Sequence, residues 1–243
     1  MEKANSILWF KNDLRLHDNE SLCKTIAFGQ PILPVYIFDT RLYETIDLGF
    51  RKADLNRFKF LKESVENLLK KLKDIDGNLL VEVGIPEEIL PRLVEKYNVN
   101  TIYAENEYAA EELQVIQNLK NNLKSSCDLN LTWGKTLYHI DDLPYAINEI
   151  PATSKAYRIN TAKKADVREP FLAPENINII DDFPKSKMPI ADDFNFKDFV
   201  DIEPYVNGGE DKALERLHHY TFETQQLTSY RWTRNRSLGM DYS

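Results

Sequence analysis

The sequence predicts an α/β protein with a five-stranded parallel sheet and helices on both faces. Two observations support this fold class. Short apolar runs rich in strand-forming residues alternate with helical periodicities over the first 134 positions, and connections of that length suit parallel pairing through right-handed crossovers. The first apolar run also lacks polar alternation, which is typical of a strand buried on both faces.

The first strand and the loop after it organise the chain. Residues 6–10 (Ser-Ile-Leu-Trp-Phe) form the apolar run, and residues 11–17 are charged or polar without glycine. Asp18 or Asn19 can cap the following helix, which Gly29 ends. Because open α/β sheets bind ligands at the carboxyl ends of their strands, we expect this loop to lie at a ligand site.

The later elements follow the same alternation. Residues 32–38 form the second strand, and residues 51–74 form an amphipathic helix with apolar side chains at spacings of three and four. A strand over 78–83 precedes Pro86, which opens the next helix because proline and acidic residues favour a helix start. The remaining predicted elements are a strand over 101–104, a helix over 111–123 and a strand over 129–133.

The pattern changes after Gly134. Residues 135–207 contain seven prolines and few periodic runs apart from a short helix over 154–165, which indicates a long connector wrapped over the surface. Gly208 and Gly209 then begin a strong helix. We therefore predict an α/β domain over 1–134, a connector over 135–207, and a further helical segment over 208–243.

Composition is that of a globular protein with enough chain for a sizeable core: 243 residues, 42% hydrophobic and 29% charged. Cys23 and Cys127 lack metal-ligand spacing, so we predict no metal site and a reducing, cytoplasmic location. No apolar run is long enough to span a membrane. The net charge of −8 argues against a protein that coats nucleic acid with its whole surface.

Two clusters are candidates for function. Residues 103–112 (Tyr-Ala-Glu-Asn-Glu-Tyr-Ala-Ala-Glu-Glu) place carboxylates after the fourth strand, although Glu111 and Glu112 are also favoured there by the helix dipole alone. Residues 229–236 (Ser-Tyr-Arg-Trp-Thr-Arg-Asn-Arg) interleave aromatic residues with arginines, which can stack on bases and pair with phosphates. A solvated helix end has the same composition. The adjacent His218 and His219 are not expected to face one side of a helix.

Residues 9–19 (Trp-Phe-Lys-Asn-Asp-Leu-Arg-Leu-His-Asp-Asn) resemble the amino-terminal motif of the photolyase/cryptochrome flavoproteins. Residues 83–91, 137–145, 208–220 and 230–243 resemble DASH-type cryptochromes in the same order. The resemblance covers nearly the whole chain. It implies a Rossmann-like α/β domain, a connector and a helical all-α domain that holds FAD, of which residues 208–243 would be the truncated start.

The resemblance also implies an activity. In this family, reduced FAD excited by blue light passes an electron to a cyclobutane pyrimidine dimer that is flipped out of DNA. DASH-type members favour dimers in single-stranded DNA. A folate antenna, 5,10-methenyltetrahydrofolate, often binds at the α/β domain. We expect a monomer.

Four site residues are carried over from the family. Tyr230 matches a tyrosine that contacts FAD, and Ser243 matches the first position of a Ser/Thr run that binds the FAD phosphates. Arg234 matches an arginine on the DNA face. Glu112 matches the acid that holds the folate antenna, whereas Ile46 departs from the histidine of some folate-binding members. No catalytic residue is assigned, because most of the FAD domain lies beyond these residues in the family.

We therefore expect the amino-terminal part of a deoxyribodipyrimidine photolyase (cryptochrome DASH), and we expect these 243 residues alone to lack repair activity and tightly bound FAD. One alternative is a signalling cryptochrome without repair. Another is a stand-alone Rossmann-like module that binds a nucleotide or flavin and acts through a partner. Residues 230–243 distinguish the photolyase hypothesis from the stand-alone module, because such a module has no reason to carry part of an FAD site.

Overall fold

Five parallel strands form a single sheet, as the sequence predicts. The computed structural model describes residues 4–194, 196, 206–224 and 226–233. The strands are β1 (Asn5–Phe10), β2 (Ile32–Phe38), β3 (Leu80–Val83), β4 (Val99–Glu105) and β5 (Asp128–Thr132). Their order across the sheet is β3-β2-β1-β4-β5.

The helices connect these strands and continue beyond them. Within the described ranges they are α1 (Glu20–Phe28), α2 (Leu55–Lys73), α3 (Pro86–Lys96), α4 (Ala110–Asn122), α5 (Ser154–Lys164), α6 (Glu210–His218) and α7 (Gln226–Thr233). A π-helical turn, His219–Glu223, follows α6 directly. In this part of the chain, no helix is both long and apolar enough to cross a membrane.

Local capping sets the helix ends. The Asn19 side chain accepts a hydrogen bond from the Leu22 N–H at 3.0 Å, and Gly29 ends α1 in the left-handed conformation. The predicted start of α2 at residue 51 is wrong. Asp54 has an extended backbone and its carboxylate accepts the Leu55 N–H, so the helix begins at Leu55.

The helices cover both faces of the sheet, which confirms the predicted layers. Side chains of β1 alternate between two core clusters. Leu8 and Phe10 pack with α1 and α2 on one face. Ile7 and Trp9 pack with α3 and α4 on the other.

The segment after β5 contributes to this core. Ile177, Phe194 and Phe196 belong to the cluster beneath α2, and Ile180 belongs to the opposite cluster. The Ile32 N–H donates to the Asn178 carbonyl at 2.8 Å, which extends pairing beside β2. The expectation that residues 135–207 only wrap over the surface is therefore wrong. The division of the chain at 134 and 207 stays a prediction.

Gly208 and Gly209 place α6 against α2. The Gly208 N–H donates to the Glu63 carboxylate at 2.6 Å, and the Gly209 N–H donates to the Ser64 hydroxyl at 3.0 Å. A Cβ atom at Gly208 would collide with the Phe60 carbonyl oxygen. Glycine is therefore required for this close approach.

The π-helical turn brings the two adjacent histidines onto one carboxylate, so the expectation that they cannot share a face is wrong. His218 Nδ1 lies 3.3 Å from Glu223 Oε1, and His219 Nδ1 lies 2.7 Å from Glu223 Oε2. The wider turn changes the angular spacing that an α-helix would impose. The contact with His219, followed by that with His218, lowers the pKa of the Glu223 carboxyl.

Replacement of Phe194 tests whether the segment after β5 is part of the core. Phe194 is 7% exposed and stacks near Tyr43 and Phe58, with ring centroids 4.4 and 5.0 Å away. We expect Phe194→Ala to lower the free energy of unfolding by about 3–5 kcal/mol in urea titrations, because it leaves a cavity among aromatic rings. The control Leu172→Ala removes a side chain that is 80% exposed and should change it by less than about 0.5 kcal/mol. Equal effects of the two substitutions would contradict this packing.

Candidate functional site

A cavity of about 690 Å³ opens at the carboxyl edge of the sheet. The strand order reverses at β1, which has β2 on one side and β4 on the other, and open α/β sheets bind ligands at such a switch point. The loop after β1 lies here, as the sequence predicts. The cavity walls come from the ends of β1 and β2, the segment leading into α2, and the start of α4.

The cavity combines an aromatic and aliphatic floor with a few charged side chains. Trp9, Tyr36 and Ile116 line it and are almost fully buried. Lys11 and Glu112 also line it. An apolar surface with a small number of placed polar groups is typical of sites that bind planar organic molecules.

Lys11 carries an ammonium group that the protein does not fully satisfy. Its Nζ lies 3.2 Å from Glu107 Oε1 and 5.0 Å from the centre of the Trp9 ring. The atom is buried, and because an ammonium group has three N–H donors, its ion pair with Glu107 leaves donor capacity unused. Burial lowers the pKa of Lys11, and Glu107 opposes that shift. A ligand oxygen or nitrogen in the cavity can therefore accept a hydrogen bond from Lys11.

Three buried carboxylates lie around two lysines, Lys11 and Lys135, at this edge of the sheet. Asp13, Glu105 and Glu107 are buried, and Lys135 forms ion pairs with Glu105 and Glu107. Burial, with a further contribution from Asp13, raises the pKa of Glu105 to about 7. The carboxylate fits here because residue 134 is glycine: a Cβ atom there would lie 2.5 Å from Glu105 Oε1.

The opening motif folds its own loop. Asp13 Oδ1 accepts the Lys11 N–H at 2.9 Å. The Asn19 amide donates to the carbonyls of Asp13 and Arg15 at 3.2 and 3.1 Å, while its oxygen caps α1. These contacts hold Lys11 at the cavity, beside the carboxyl end of β1.

Arg41 fixes the neighbouring wall. Its guanidinium contacts Asp39 Oδ2 at 2.5 Å and Glu87 Oε1 at 2.8 Å, which links the end of β2 to the first turn of α3. Asn118 of α4 donates to the same Glu87 oxygen at 3.2 Å. Burial would raise the pKa of Glu87, but the hydrogen bonds from Arg41, the backbone and Asn118, together with the charge of Arg41, outweigh it, and the pKa is lowered. The pair is ionised and joins three elements beside the cavity.

The residues singled out in the sequence lie in different places. Glu112, in the first turn of α4, lines the cavity. Tyr230 lies on α7, is partly exposed, and is not among the residues that line this cavity. Arg234 and Ser243 lie outside the described residues. Ile46 lies in the loop before α2, where its N–H donates to the Phe50 carbonyl.

Sequence reasoning placed the loop that contains Lys11 at a ligand site without singling out this lysine, and it missed Lys52 and Arg57 as cavity residues. Lys11 is the first residue after β1, so its position was a usable signal. Lys52 and Arg57 reach the cavity only because α2 packs beside β1 and β2. Within the described ranges, no group of three or more His, Cys, Asp or Glu side chains is arranged to hold a metal ion.

Glu105 makes stability depend on pH. Its folded pKa of about 7 lies above the value of about 4.3 for an unfolded glutamate, so the folded state holds a proton that the unfolded chain releases. The free energy of unfolding therefore falls as pH rises through that interval. Glutamine does not titrate, so we expect Glu105→Gln to lack this pH dependence. In urea titrations, its free energy of unfolding should rise by roughly 1–3 kcal/mol relative to that of wild type between pH 5 and pH 8. The control Glu95→Gln alters an exposed carboxylate. If the free energies of unfolding of Glu105→Gln and wild type differed by the same amount at pH 5 and at pH 8, the raised pKa of Glu105 would be contradicted.

Comparisons with curated proteins match the chain to one family. Residues 6–175 match the DNA photolyase family model. Cryptochrome DASH of Gloeobacter violaceus is 34% identical over 247 residues, covering 100% of this chain and 49% of that protein. Cryptochrome DASH of Xenopus laevis is 36% identical over 250 residues, covering 98% and 47%. The chain thus spans about half the length of these relatives.

Solved structures agree in fold. A Synechocystis cryptochrome superposes with a TM-score of 0.89 at 33% identity, covering 100% of this chain and 52% of the other. The archaeal photolyase of Sulfolobus tokodaii, solved with two FAD molecules, has a TM-score of 0.67 at 21% identity and covers 88% and 46%. Because the family model spans most of the chain and includes the loop and strands that build the cavity, this chain belongs to the DNA photolyase family.

Proposed function

We propose that these residues form the amino-terminal half of a DASH-type photolyase that uses FAD and blue light to split pyrimidine dimers in DNA. The observation that carries this proposal is the similarity to cryptochromes named DASH along the whole chain, from β1 past α7. A stand-alone nucleotide-binding module would give no reason for similarity to extend beyond the sheet domain. A signalling cryptochrome without repair remains the second candidate.

The surface of the last helices supports a continuation of the protein. Leu217, Phe222 and Trp232 are large apolar side chains and are more than half exposed. They lie on α6, the π-helical turn and α7, which contact one another in sequence, and exposed apolar side chains on adjoining elements can form a surface that other protein covers. We propose that a helical FAD domain covers them and that Tyr230 contacts the flavin there.

The proposed roles of the carried-over residues follow from their chemistry. The bound FAD would supply the electron that splits the dimer. Tyr230 offers a ring face against the flavin, the Ser243 hydroxyl can donate to an FAD phosphate, and Arg234 can pair with a DNA phosphate. Tight FAD binding needs an enclosed site, so we do not expect it from these 243 residues alone.

Light-dependent repair tests the proposal. The longest natural polypeptide that contains this sequence would be illuminated with blue light beside a single-stranded oligonucleotide that carries a pyrimidine dimer. We expect bound flavin and restored pyrimidines in the light, and no repair in the dark. Flavin without repair of single- or double-stranded substrate would favour a signalling cryptochrome. A protein without flavin would contradict the proposal.

Arg234 provides a sharper version of the same experiment. We expect Arg234→Gln to weaken binding of the oligonucleotide by roughly 3–10-fold and to reduce its salt dependence, because one phosphate contact is lost. The matched control is Arg92→Gln, which removes an exposed arginine of α3 that lies outside residues 229–236. Bound flavin should be equal in both variants. Equal oligonucleotide affinities would contradict the role of Arg234.

We also propose that the cavity beside Trp9 holds a light-harvesting chromophore. Its volume, its aromatic floor and the unsatisfied Lys11 ammonium suit a planar heteroaromatic ring with acceptor atoms. Glu112 lines the cavity and can accept from ring N–H groups, as expected for 5,10-methenyltetrahydrofolate. The archaeal photolyase with two FAD molecules was described as implying a novel light-harvesting cofactor, so a flavin is the other candidate ring.

Binding to the 243-residue chain tests the cavity. We expect 5,10-methenyltetrahydrofolate or riboflavin to quench tryptophan fluorescence. Lys11→Met should weaken binding by about 10-fold, which corresponds to about 1.4 kcal/mol for one lost charged donor. The control Lys124→Gln alters an exposed lysine paired with Glu95 and should have no effect. Failure of both ligands to bind would contradict the proposal.

A further inference from the structure

A smaller cavity of about 430 Å³ adjoins the proposed chromophore site. Asp39, Leu42, Lys52, Glu112 and Val115 line both cavities. The smaller cavity therefore opens from the larger one at the carboxyl edge of the sheet. A ligand whose ring fills the larger cavity can extend a tail into the smaller one.

An ion pair between Lys52 and Glu111 lies where the two cavities meet. Lys52 Nζ is 2.7 and 2.8 Å from the two carboxylate oxygens of Glu111, and both residues line the smaller cavity. Lys52 precedes α2, whereas Glu111 is in the first turn of α4. Because α2 and α4 pack on opposite faces of the sheet, the pair passes over the sheet edge between the two walls.

This ion pair is easy to open. The side chains are 38% and 70% exposed, and exposed pairs of this kind contribute only about 0–1 kcal/mol. The neighbouring contacts of Arg41 with Asp39 and Glu87 hold the wall in place independently. Lys52 can thus change partners while the fold stays intact.

We propose that Lys52 selects a chromophore with a phosphate tail, and that Glu111 holds the lysine until the ligand arrives. On binding, the phosphate takes the place of the Glu111 carboxylate on Lys52 Nζ. Lysine serves as a compact point charge for phosphate. Asp39, which also lines the smaller cavity, is paired with Arg41, and Arg41 also contacts Glu87. This inference rests on the proposed chromophore site and adds a residue that discriminates among its ligands.

Riboflavin and FMN provide the test, because they share one ring system and differ by the phosphate. Each would be titrated into the 243-residue chain while flavin fluorescence is followed. We expect FMN to bind roughly 5-fold more tightly than riboflavin, an advantage that added salt reduces. Lys52→Gln should remove this advantage, and Lys52→Arg should retain it.

We expect Glu111→Gln to change FMN affinity in the opposite direction. It removes the competing carboxylate, so FMN should bind roughly 3-fold more tightly while riboflavin is unchanged. The matched control is Lys124→Gln, which breaks an exposed ion pair with Glu95. Thermal unfolding followed by circular dichroism verifies that every variant is folded.

The outcomes separate this inference from the chromophore site on which it rests. Equal binding of FMN and riboflavin to wild type, or weaker FMN binding in Glu111→Gln, would overturn the role of the ion pair and leave the chromophore site standing. Binding of neither flavin nor 5,10-methenyltetrahydrofolate would overturn both.

Discussion

The central position of β1 is the constraint on which the rest of the structure depends. The strand pairs with β2 and β4, and its residues from Ser6 to Phe10 are almost fully buried. A buried backbone must be hydrogen-bonded on both sides, so β1 fixes the sheet order. Its alternating side chains divide the core into two clusters, and its end delivers Lys11 to the switch point.

Charge at that switch point is costly to bury. Here buried carboxylates pair with partly buried lysines, and such pairs often stabilise a fold no better than apolar residues would. They lie at the edge where open α/β sheets bind ligands, which favours a functional role over a stabilising one. Asp13 and Asn19 order the loop, Glu105 and Glu107 set the local charge around Lys11 and Lys135, and the floor of the cavity stays apolar.

The segment between the sheet and the last helices is structural rather than a passive tether. Ile177, Ile180 and Phe194 complete the core on both faces, and the contacts of Gly208 and Gly209 fix α6 on α2. The position of α6 is therefore set by the sheet domain.

The sequence by itself determined the strand and helix alternation, the parallel sheet, the capping by Asn19 and Gly29, and the family, because these follow from local periodicity, turn chemistry and a continuous motif. It also placed Glu112 near the ligand edge, since that edge follows from strand direction. Only the tertiary structure decided the cavity itself. Lys52 and Arg57 are remote from β1 in sequence, and the burial of Phe194 and the proton affinity of Glu105 depend on neighbours from several elements, which no local pattern specifies.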